Sequence, residues 1–213
     1  MMELQTPYTM IVSGQTGSGK THFVSQLINH QEKIHDKSFD KIIIAFTMMQ
    51  PIYLELKLKN RNISLIDGFP GEAVERIQNE NSESNTLVVL DDMMIETEND
   101  KRLPGLFTKM RHKNVSTIFL VQNFYFKSKY MTTVTRNAHY LVIFENPRDA
   151  SMITTLNRQV YPDNPGFLKD AFRQATEKPY GYLFLDFKPG GDKKLRVREG
   201  ILPHEQTFVY LPK

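Results

Sequence analysis

The feature that most constrains this chain is an eight-residue segment with the pattern G-x-x-x-x-G-K-T: Gly14, Gln15, Thr16, Gly17, Ser18, Gly19, Lys20 and Thr21. The strand-like run YTMIVS precedes it at 8–13, and apolar residues at helical spacing follow it over 21–31. A glycine-rich loop between a strand and a helix is the context in which this pattern forms a P-loop. The N–H groups of such a loop surround a phosphate, and the helix N-terminus adds a positive dipole end. The sequence therefore predicts that these residues bind a nucleotide.

Lys20 and Thr21 end this loop, and each has its own predicted role. A lysine at this position reaches the β- and γ-phosphates, and a threonine hydroxyl at the next position binds Mg²⁺. A turn that only connected a strand to a helix would not require the Gly-Lys-Thr ending. We therefore expect a nucleoside triphosphate and Mg²⁺ as ligands.

Strand-like and helical segments alternate along the whole chain. The strand-like runs are 8–13, 41–46, 62–66, 86–90, 116–121, 140–144 and 180–187, and the helical patterns are 21–31, 72–79, 103–112, 150–156 and 164–175. Four of the strand-like runs are almost continuously apolar, which is typical of parallel strands covered on both faces. The alternation predicts an α/β P-loop domain with a mostly parallel central sheet and helices on both faces. We expect one domain over 1–213, with a core at about 8–187 and a C-terminal strand or hairpin extension at about 188–213.

Two adjacent carboxylates, Asp91 and Asp92, follow the apolar run TLVVL. In P-loop enzymes an acidic residue at such a strand end organises Mg²⁺, and a nearby base activates the attacking water. We expect Asp91 to serve the metal and Asp92 to orient and deprotonate the water. Glu96 is a weaker candidate for the base, and a solvent-facing strand cap is the alternative for the pair.

Gln122 ends a third apolar run, at 116–121. Since the carboxyl ends of parallel strands meet at one edge of a sheet, this amide should lie near the phosphates. We expect Gln122 to contact the γ-phosphate and the attacking water. The alternative is that it only begins a turn.

Composition and missing motifs exclude several classes. The 213 residues include no cysteine, and the six histidines show no metal-ligand spacing. There is no N-K-x-D tetrapeptide, which a GTPase would use to bind guanine. The beginning of the sequence shows no secretory pattern, and no apolar run approaches the ~18 residues of a membrane span. We therefore expect an intracellular protein.

Four segments together resemble one family: GQTGSGKT, TLVVLDDMM, the strand that ends in QN, and TRNAHYLVIFENPRD at 135–149. The chain resembles the viral genome-packaging ATPases of the FtsK–HerA superfamily. It is most similar to poxvirus-type packaging ATPases in the compact form of Polinton elements, adintoviruses and virophages. The resemblance runs from about residue 8 to the end of the chain.

The resemblance implies an ASCE-type ATPase that assembles as a homo-oligomeric ring, a pentamer or a hexamer. Such a ring drives double-stranded DNA into a preformed capsid, so capsid or portal-vertex proteins are implied partners. The implied location is the host nucleus or a cytoplasmic virus factory, with association with the virion left open. In that family a glutamine ends the strand after the acidic pair, which matches Gln122.

Rings of this kind also supply an arginine to the nucleotide of a neighbouring subunit, where it stabilises charge on the transferring phosphoryl group. Arg111, just before the strand at 116–121, is the first candidate, and Arg136 is the second. The sequence does not decide between them. An ordinary surface arginine is the alternative for each.

The sequence offers three basic clusters for contact with DNA phosphates, although the net charge is only +3. The first is Lys109, Arg111, His112 and Lys113; the second is Lys127 and Lys129 among Phe124, Tyr125, Phe126 and Tyr130; the third is Lys193, Lys194, Arg196 and Arg198. A motor should hold phosphates without recognising bases, which suits such clusters. For the second cluster a core edge with solvated lysines is the preferred interpretation, and for the third cluster a solvated edge strand.

Two other functions stay open from the sequence. A nucleoside or nucleotide kinase would transfer the phosphate to an acceptor other than water, although the dispersed arginines disfavour an arginine-rich lid. A non-catalytic scaffold would bind ATP only to fix an assembly. Loss of Asp92 would leave such an assembly intact, whereas it would stop an ATPase.

Overall fold

The computed structural model describes residues 3–79, 83–124, 129–147 and 150–212. Its strands are β1 (Thr9–Ser13), β2 (Lys41–Phe46), β3 (Ile63–Asp67), β4 (Thr86–Asp91), β5 (Val115–Val121), β6 (Tyr140–Phe144), β7 (Tyr182–Asp186), β8 (Val197–Glu199) and β9 (Phe208–Val209). They form one sheet in the order β3-β2-β4-β5-β1-β6-β7-β8-β9. The first six strands in this order are parallel, and β7, β8 and β9 continue the sheet in antiparallel pairs. The predicted mostly parallel sheet is confirmed.

Helices cover both faces of this sheet, as predicted. They are α1 (Lys20–Asn29), α2 (Gln31–Ile34), α3 (Pro51–Lys59), α4 (Gly71–Asn79), α5 (Leu103–Thr108), α6 (Met131–Arg136), α7 (Ala150–Val160) and α8 (Phe167–Ala175). Helices α1 to α3 pack on one face, and α4 to α8 pack on the other. Each face has its own buried apolar cluster, so the central strands are covered on both sides. Among the described residues, no helix has the length and apolarity that crossing a bilayer requires.

Three helices were not predicted: the four-residue α2, which follows α1 directly, and the longer α3 and α6. The sequence of α3, PIYLELKLK, alternates apolar and polar residues over Ile52–Lys59, which is the pattern of a strand. Pro51 at the first helical position favours a helix instead, because its fixed φ suits a helix start. The sequence of α6 is rich in β-branched threonine and valine, which lowers helix propensity. The predicted helix at 103–112 is shorter: α5 ends at Thr108, and a 3₁₀ turn follows over Met110–Lys113.

The strand order brings three predicted site segments together. Strand β5 lies between β4 and β1, and the register pairs Asp91 with Leu120 and Ser13 with Val121. The carboxyl ends of all three strands therefore lie at one edge. The acidic pair, Gln122 and the P-loop follow those three ends, as the parallel arrangement predicts.

The third basic cluster is not a uniformly solvated edge, and the interpretation was wrong for Arg198. This residue is only 3% exposed, and its guanidinium lies 3.5 Å from the carboxylate of Asp186. It also donates to the carbonyl oxygen of Leu195 and lies over the ring of Phe184. Arg198 therefore joins β8 to β7 in the interior, whereas Lys193 and Lys194 are exposed.

His35 is buried at the edge of the sheet where the parallel strands begin, next to the start of β1. Its Nδ1 lies 3.2 Å from the carbonyl oxygen of Gln31, which can only accept, so Nδ1 carries the proton. Its Nε2 then accepts from the hydroxyl of Tyr8 at 3.0 Å, and the two rings stack. Burial lowers the pKa of His35 to about 4, so this ring is neutral at pH 7.

This burial predicts a loss of stability in mild acid. The unfolded chain takes up a proton at His35 near pH 6.5, whereas the folded protein resists it until about pH 4. Because of His35, we expect the free energy of unfolding to fall by about 2 kcal/mol as the pH is lowered from 7 to 5. In chemical unfolding of His35→Gln at several pH values, the free energy of unfolding should change less with pH than it does in the parent protein. The exposed His112, as His112→Gln, is the control, and equal slopes for the parent and His35→Gln would contradict the prediction.

Candidate nucleotide-binding and catalytic site

The P-loop runs from the end of β1 to the start of α1, and glycine is required at several of its turns. Gly17 and Gly19 have φ values of 81° and 102°, which glycine adopts without steric cost. At Gly14, a Cβ would lie 2.6 Å from Ser18 Oγ and 2.7 Å from Phe144 Cβ. The chain therefore makes a tight loop whose exposed crown is residues 15–17.

Lys20 is the first residue of α1 and is only 9% exposed. Its Nζ donates to the carbonyl oxygens of Gly14 and Gln15 at 2.6 and 3.0 Å. Burial lowers the pKa of Lys20, while the charges of Asp91 and Asp92 act in the opposite direction. The lysine therefore lies inside the loop, within the electrostatic influence of both predicted acids.

Asp91 ends β4 and is only 4% exposed. Its Oδ2 accepts from the side-chain amide of Gln50 at 2.9 Å and from the hydroxyl of Tyr53. Burial raises the pKa of Asp91, and the charge of Asp92 raises it further. The hydrogen bond from Tyr53 and the charge of Lys20 act against this rise.

Tyr53 connects the two residues that were predicted to serve the metal. Its hydroxyl interacts with the side chain of Thr21 as well as with Asp91. The ring is only 2% exposed and stacks on Phe46 at the end of β2. Thr21 and Asp91 therefore lie within reach of one shared hydroxyl.

Asp92 has a different environment from Asp91. Its φ of 55° turns the chain away from the strand, and its side chain is exposed. Gln122 donates from Nε2 to both carboxylate oxygens of Asp92, at 2.9 Å each. Of the two adjacent acids, Asp91 is therefore buried against α3, and Asp92 is held at the surface by the amide of Gln122. Glu96 is exposed in the turns that follow Asp92.

Three residues near the predicted site were missed by the sequence analysis: Gln50, Tyr53 and Asn146. Gln50 and Tyr53 follow β2, which neighbours β4, and Asn146 follows β6 and donates to the carbonyl oxygen of Gln122 at 3.3 Å. Each lies just beyond the carboxyl end of a parallel strand. The reasoning that selected Gln122 would have found Asn146 if it had been applied to β6, whereas Gln50 and Tyr53 lie at the start of α3, a helix that was not predicted.

Both candidate finger arginines lie at the opposite edge of the sheet. Arg111 is exposed in the 3₁₀ turn that leads into β5, and its charge contributes to the lowered pKa of His139 just before β6. Arg136 is exposed at the end of α6, which also leads into β6. Neither arginine lies at the edge that carries its own P-loop.

Of the basic clusters, the first lies at the same edge of the sheet as these two arginines. Lys109, Arg111, His112 and Lys113 surround the turn at the amino edge. In the second cluster, the ammonium of Lys129 lies 5.6 Å from the ring centre of Tyr130. Tyr125, Phe126 and Lys127 lie outside the described residues.

The side chains fit a magnesium nucleotide. Mg²⁺ prefers oxygen ligands, and the Thr21 hydroxyl and Asp91 carboxylate provide them at one place. Ser18 Oγ is buried and has no hydrogen-bond partner among the described residues, so this loop hydroxyl can donate a hydrogen bond to a phosphate. The N-terminus of the ten-residue helix α1 adds its dipole beside Lys20.

Comparisons with known proteins agree with this geometry. The sequence model of the family described as Poxvirus A32 protein matches residues 2–158. No curated protein sequence matches significantly. The fold is similar to that of the genome packaging NTPase B204 from Sulfolobus turreted icosahedral virus 2, solved in complex with ATP-γS. That likeness has a TM-score of 0.57 at 12% identity and covers 97% of this chain and 98% of B204.

The fold is also similar to the cytoplasmic domain of the type VII secretion ATPase EccC from Thermomonospora curvata. The TM-score is 0.56 at 12% identity, over 96% of this chain but only 25% of EccC. At these identities the two likenesses establish the fold and nothing more specific.

Removing the Tyr53 hydroxyl should destabilise the protein. Tyr53→Phe keeps the buried ring but removes one of the two donors to a buried carboxylate, and such hydrogen bonds contribute about 1.5–3 kcal/mol. We expect the free energy of unfolding at pH 7 to fall by about that amount in urea titrations. Tyr180→Phe, which removes the hydroxyl of a tyrosine that is 72% exposed, is the matched control. Equal stability of the two variants would contradict the prediction.

Proposed function

The chain belongs to the poxvirus A32 protein family, and we propose that it is a viral genome-packaging ATPase. In this proposal it hydrolyses ATP to ADP and phosphate and acts as one subunit of a motor that moves double-stranded DNA into a preformed capsid. One observation carries the catalytic part of the proposal. Asp91 is buried against α3, while Asp92 is exposed and bound by Gln122.

This separation gives each residue a distinct role. The loop backbone from Gly14 to Gly19, with Lys20, would hold the triphosphate, and Thr21 with Asp91 would hold Mg²⁺. When bound, the metal neutralises charge on the phosphoryl group that is transferred.

Asp92 and Gln122 would act on the water. Because the Gln122 amide donates to both carboxylate oxygens, Asp92 is held in one orientation as an acceptor. An attacking water can donate to this carboxylate and lose its proton to it as the bond to phosphorus forms. Gln122 can exchange its bond to Asp92 for one to the γ-phosphate, which would make the arrangement sensitive to an intact triphosphate.

We propose a single P-loop domain that works in a homo-oligomeric ring, a pentamer or hexamer, with capsid or portal-vertex proteins and DNA as partners. Exposed apolar side chains support self-association, because a soluble surface seldom carries several of them in one region. They occur at Met48, Met49, Leu54 and Leu58. These side chains lie on α3 and on the segment that leads into it. The proposed place of action is the host nucleus or a cytoplasmic virus factory.

ATP turnover with and without linear double-stranded DNA tests the proposal. We expect DNA to stimulate turnover, and Lys20→Ala to abolish it, because the ammonium would contact the transferred group. Asp92→Asn should bind ATP normally but lose at least about a hundredfold in turnover, the scale of a lost general base. Glu96→Gln is the matched control and should retain activity.

Other results would replace this function with one of its alternatives. Turnover that ignores DNA but appears with a nucleoside acceptor would identify a kinase. A protein that assembles on binding ATP without measurable turnover, and assembles equally well as Asp92→Asn, would identify a scaffold. Either outcome would contradict a DNA-driven ATPase.

A mixing experiment tests the finger in trans. Arg111→Ala and Arg136→Ala are each combined at equal concentration with Lys20→Ala. Loss of a finger slows phosphoryl transfer by about 10³–10⁵, so the true finger variant should be inactive alone. Mixing should then restore activity at about a quarter of the interfaces of a randomly mixed ring, where an intact loop meets an intact arginine. Failure of both mixtures to recover activity would rule out both arginines as fingers in trans.

A further inference from the structure

A cavity of about 690 Å³ adjoins the P-loop, within the range of about 300–1,000 Å³ typical of small-molecule sites. Gly19 and His22 border it at the start of α1, and Phe144 borders it at the end of β6. The turn at Tyr180 and the segment from Glu199 to Phe208 form the remaining walls. The family match ends at residue 158, so most of this lining lies outside the matched segment.

The cavity lies on the side of β1 opposite to the acids. In the sheet order, β5 and β4 carry Gln122 and Asp91 on one side of the P-loop strand, and β6, β7 and β8 lie on the other side. A triphosphate whose γ end faces Gln122 and the acids has its nucleoside end directed away from them. That direction leads towards β6 and β7, where the cavity is.

The ring of Tyr180 lies at the junction between the loop and the cavity. A Cβ on Gly19 would be 3.2 Å from Tyr180 Cδ1, so the ring is in contact with the last turn of the P-loop. The side chain is nevertheless 72% exposed, and its φ is 63°. A bulky residue seldom adopts this conformation, and such strain tends to occur at binding sites.

The inner wall of the cavity is aromatic and the outer wall is fixed by hydrogen bonds. Phe23, Phe144 and Tyr182 pack against one another, with ring centres 4.9–6.0 Å apart. The hydroxyl of Tyr182 donates to Glu205 and accepts from the N–H of Ile201 at 2.9 Å. Glu205 also accepts from the N–H of Leu202 at 3.0 Å. The segment between β8 and β9 is therefore anchored to the sheet beside the P-loop.

From these observations we infer that the cavity binds the base and ribose of the nucleotide, with Tyr180 stacked on the base and the β8–β9 hairpin as the outer wall. This inference rests on the proposed function, because it extends the same nucleotide site. It gives the C-terminal hairpin a role in ligand binding, in addition to its place at the edge of the sheet. The triphosphate and the nucleoside would then be held by separate parts of the chain.

Binding of Mg·ATP and of inorganic tripolyphosphate, both measured by calorimetry, separates the two parts. Tyr180→Ala should weaken ATP binding by about 10- to 100-fold, the scale of a lost base–aromatic stack, and leave tripolyphosphate binding unchanged. Tyr180→Phe keeps the ring and should bind ATP as the parent does. Phe208→Ala, on the hairpin wall, should weaken ATP binding alone to a smaller extent. Lys20→Ala should weaken both ligands equally.

Three results would overturn the inference. The first is that the parent protein binds ATP no more tightly than tripolyphosphate. The second is that Tyr180→Ala binds ATP as tightly as the parent does. The third is that Tyr180→Ala loses affinity for ATP and for tripolyphosphate to the same extent. Thermal unfolding of each variant checks that the fold is retained, which the exposure of Tyr180 favours. A protein that loses only ATP affinity in Tyr180→Ala, yet never hydrolyses ATP, would support the cavity and contradict the proposed function.

Discussion

Two buried ionisable side chains, Lys20 and Asp91, define the carboxyl edge of this sheet. Burial of a charge is costly unless hydrogen bonds or an opposite charge offset it. Asp91 ends β4, and Lys20 follows the loop that leaves β1; since β5 lies between these two strands, β1 and β4 are separated by about 10 Å. Each side chain therefore has local partners: the loop carbonyls for Lys20, and Gln50 with Tyr53 for Asp91. The two charges still influence each other's pKa across a gap that Gln122 borders.

Most of this edge could be predicted from the sequence because it follows from local patterns and one topological rule. The loop motif placed Lys20 and Thr21, and the ends of two apolar runs placed Asp91 and Gln122. Gln50 and Tyr53 could not be found in the same way, because their helix has an alternating pattern that resembles a strand. Their contact with Asp91 also depends on β2 lying beside β4, which is a property of the strand order. The interior position of Arg198 is likewise invisible in a run of basic residues, since it depends on pairing between β7 and β8.

The P-loop strand divides the edge into two halves with different chemistry. On the side of β5 and β4, the side chains are an amide and two carboxylates, suited to a metal, a water and a γ-phosphate. On the side of β6, β7 and β8, they are mostly aromatic, suited to a planar base. Antiparallel strands make the second half possible, because β7 enters the sheet at the carboxyl edge and brings Tyr180 and Tyr182 there. Had β7 been parallel, its start would have been at the far edge.

The positions of Arg111 and Arg136 determine which subunit either arginine could serve. Strand β5 has seven residues and is roughly 23 Å long. Arg111 precedes this strand, and the P-loop lies beyond its other end, so no side chain rotation brings this arginine to its own nucleotide. If either arginine acts in catalysis, it must serve another copy, with the amino edge of one subunit against the carboxyl edge of the next. Such a contact joins two different surfaces, and head-to-tail contacts of this kind close into rings or continue as filaments. The ring proposed for this protein would be the closed form of that arrangement.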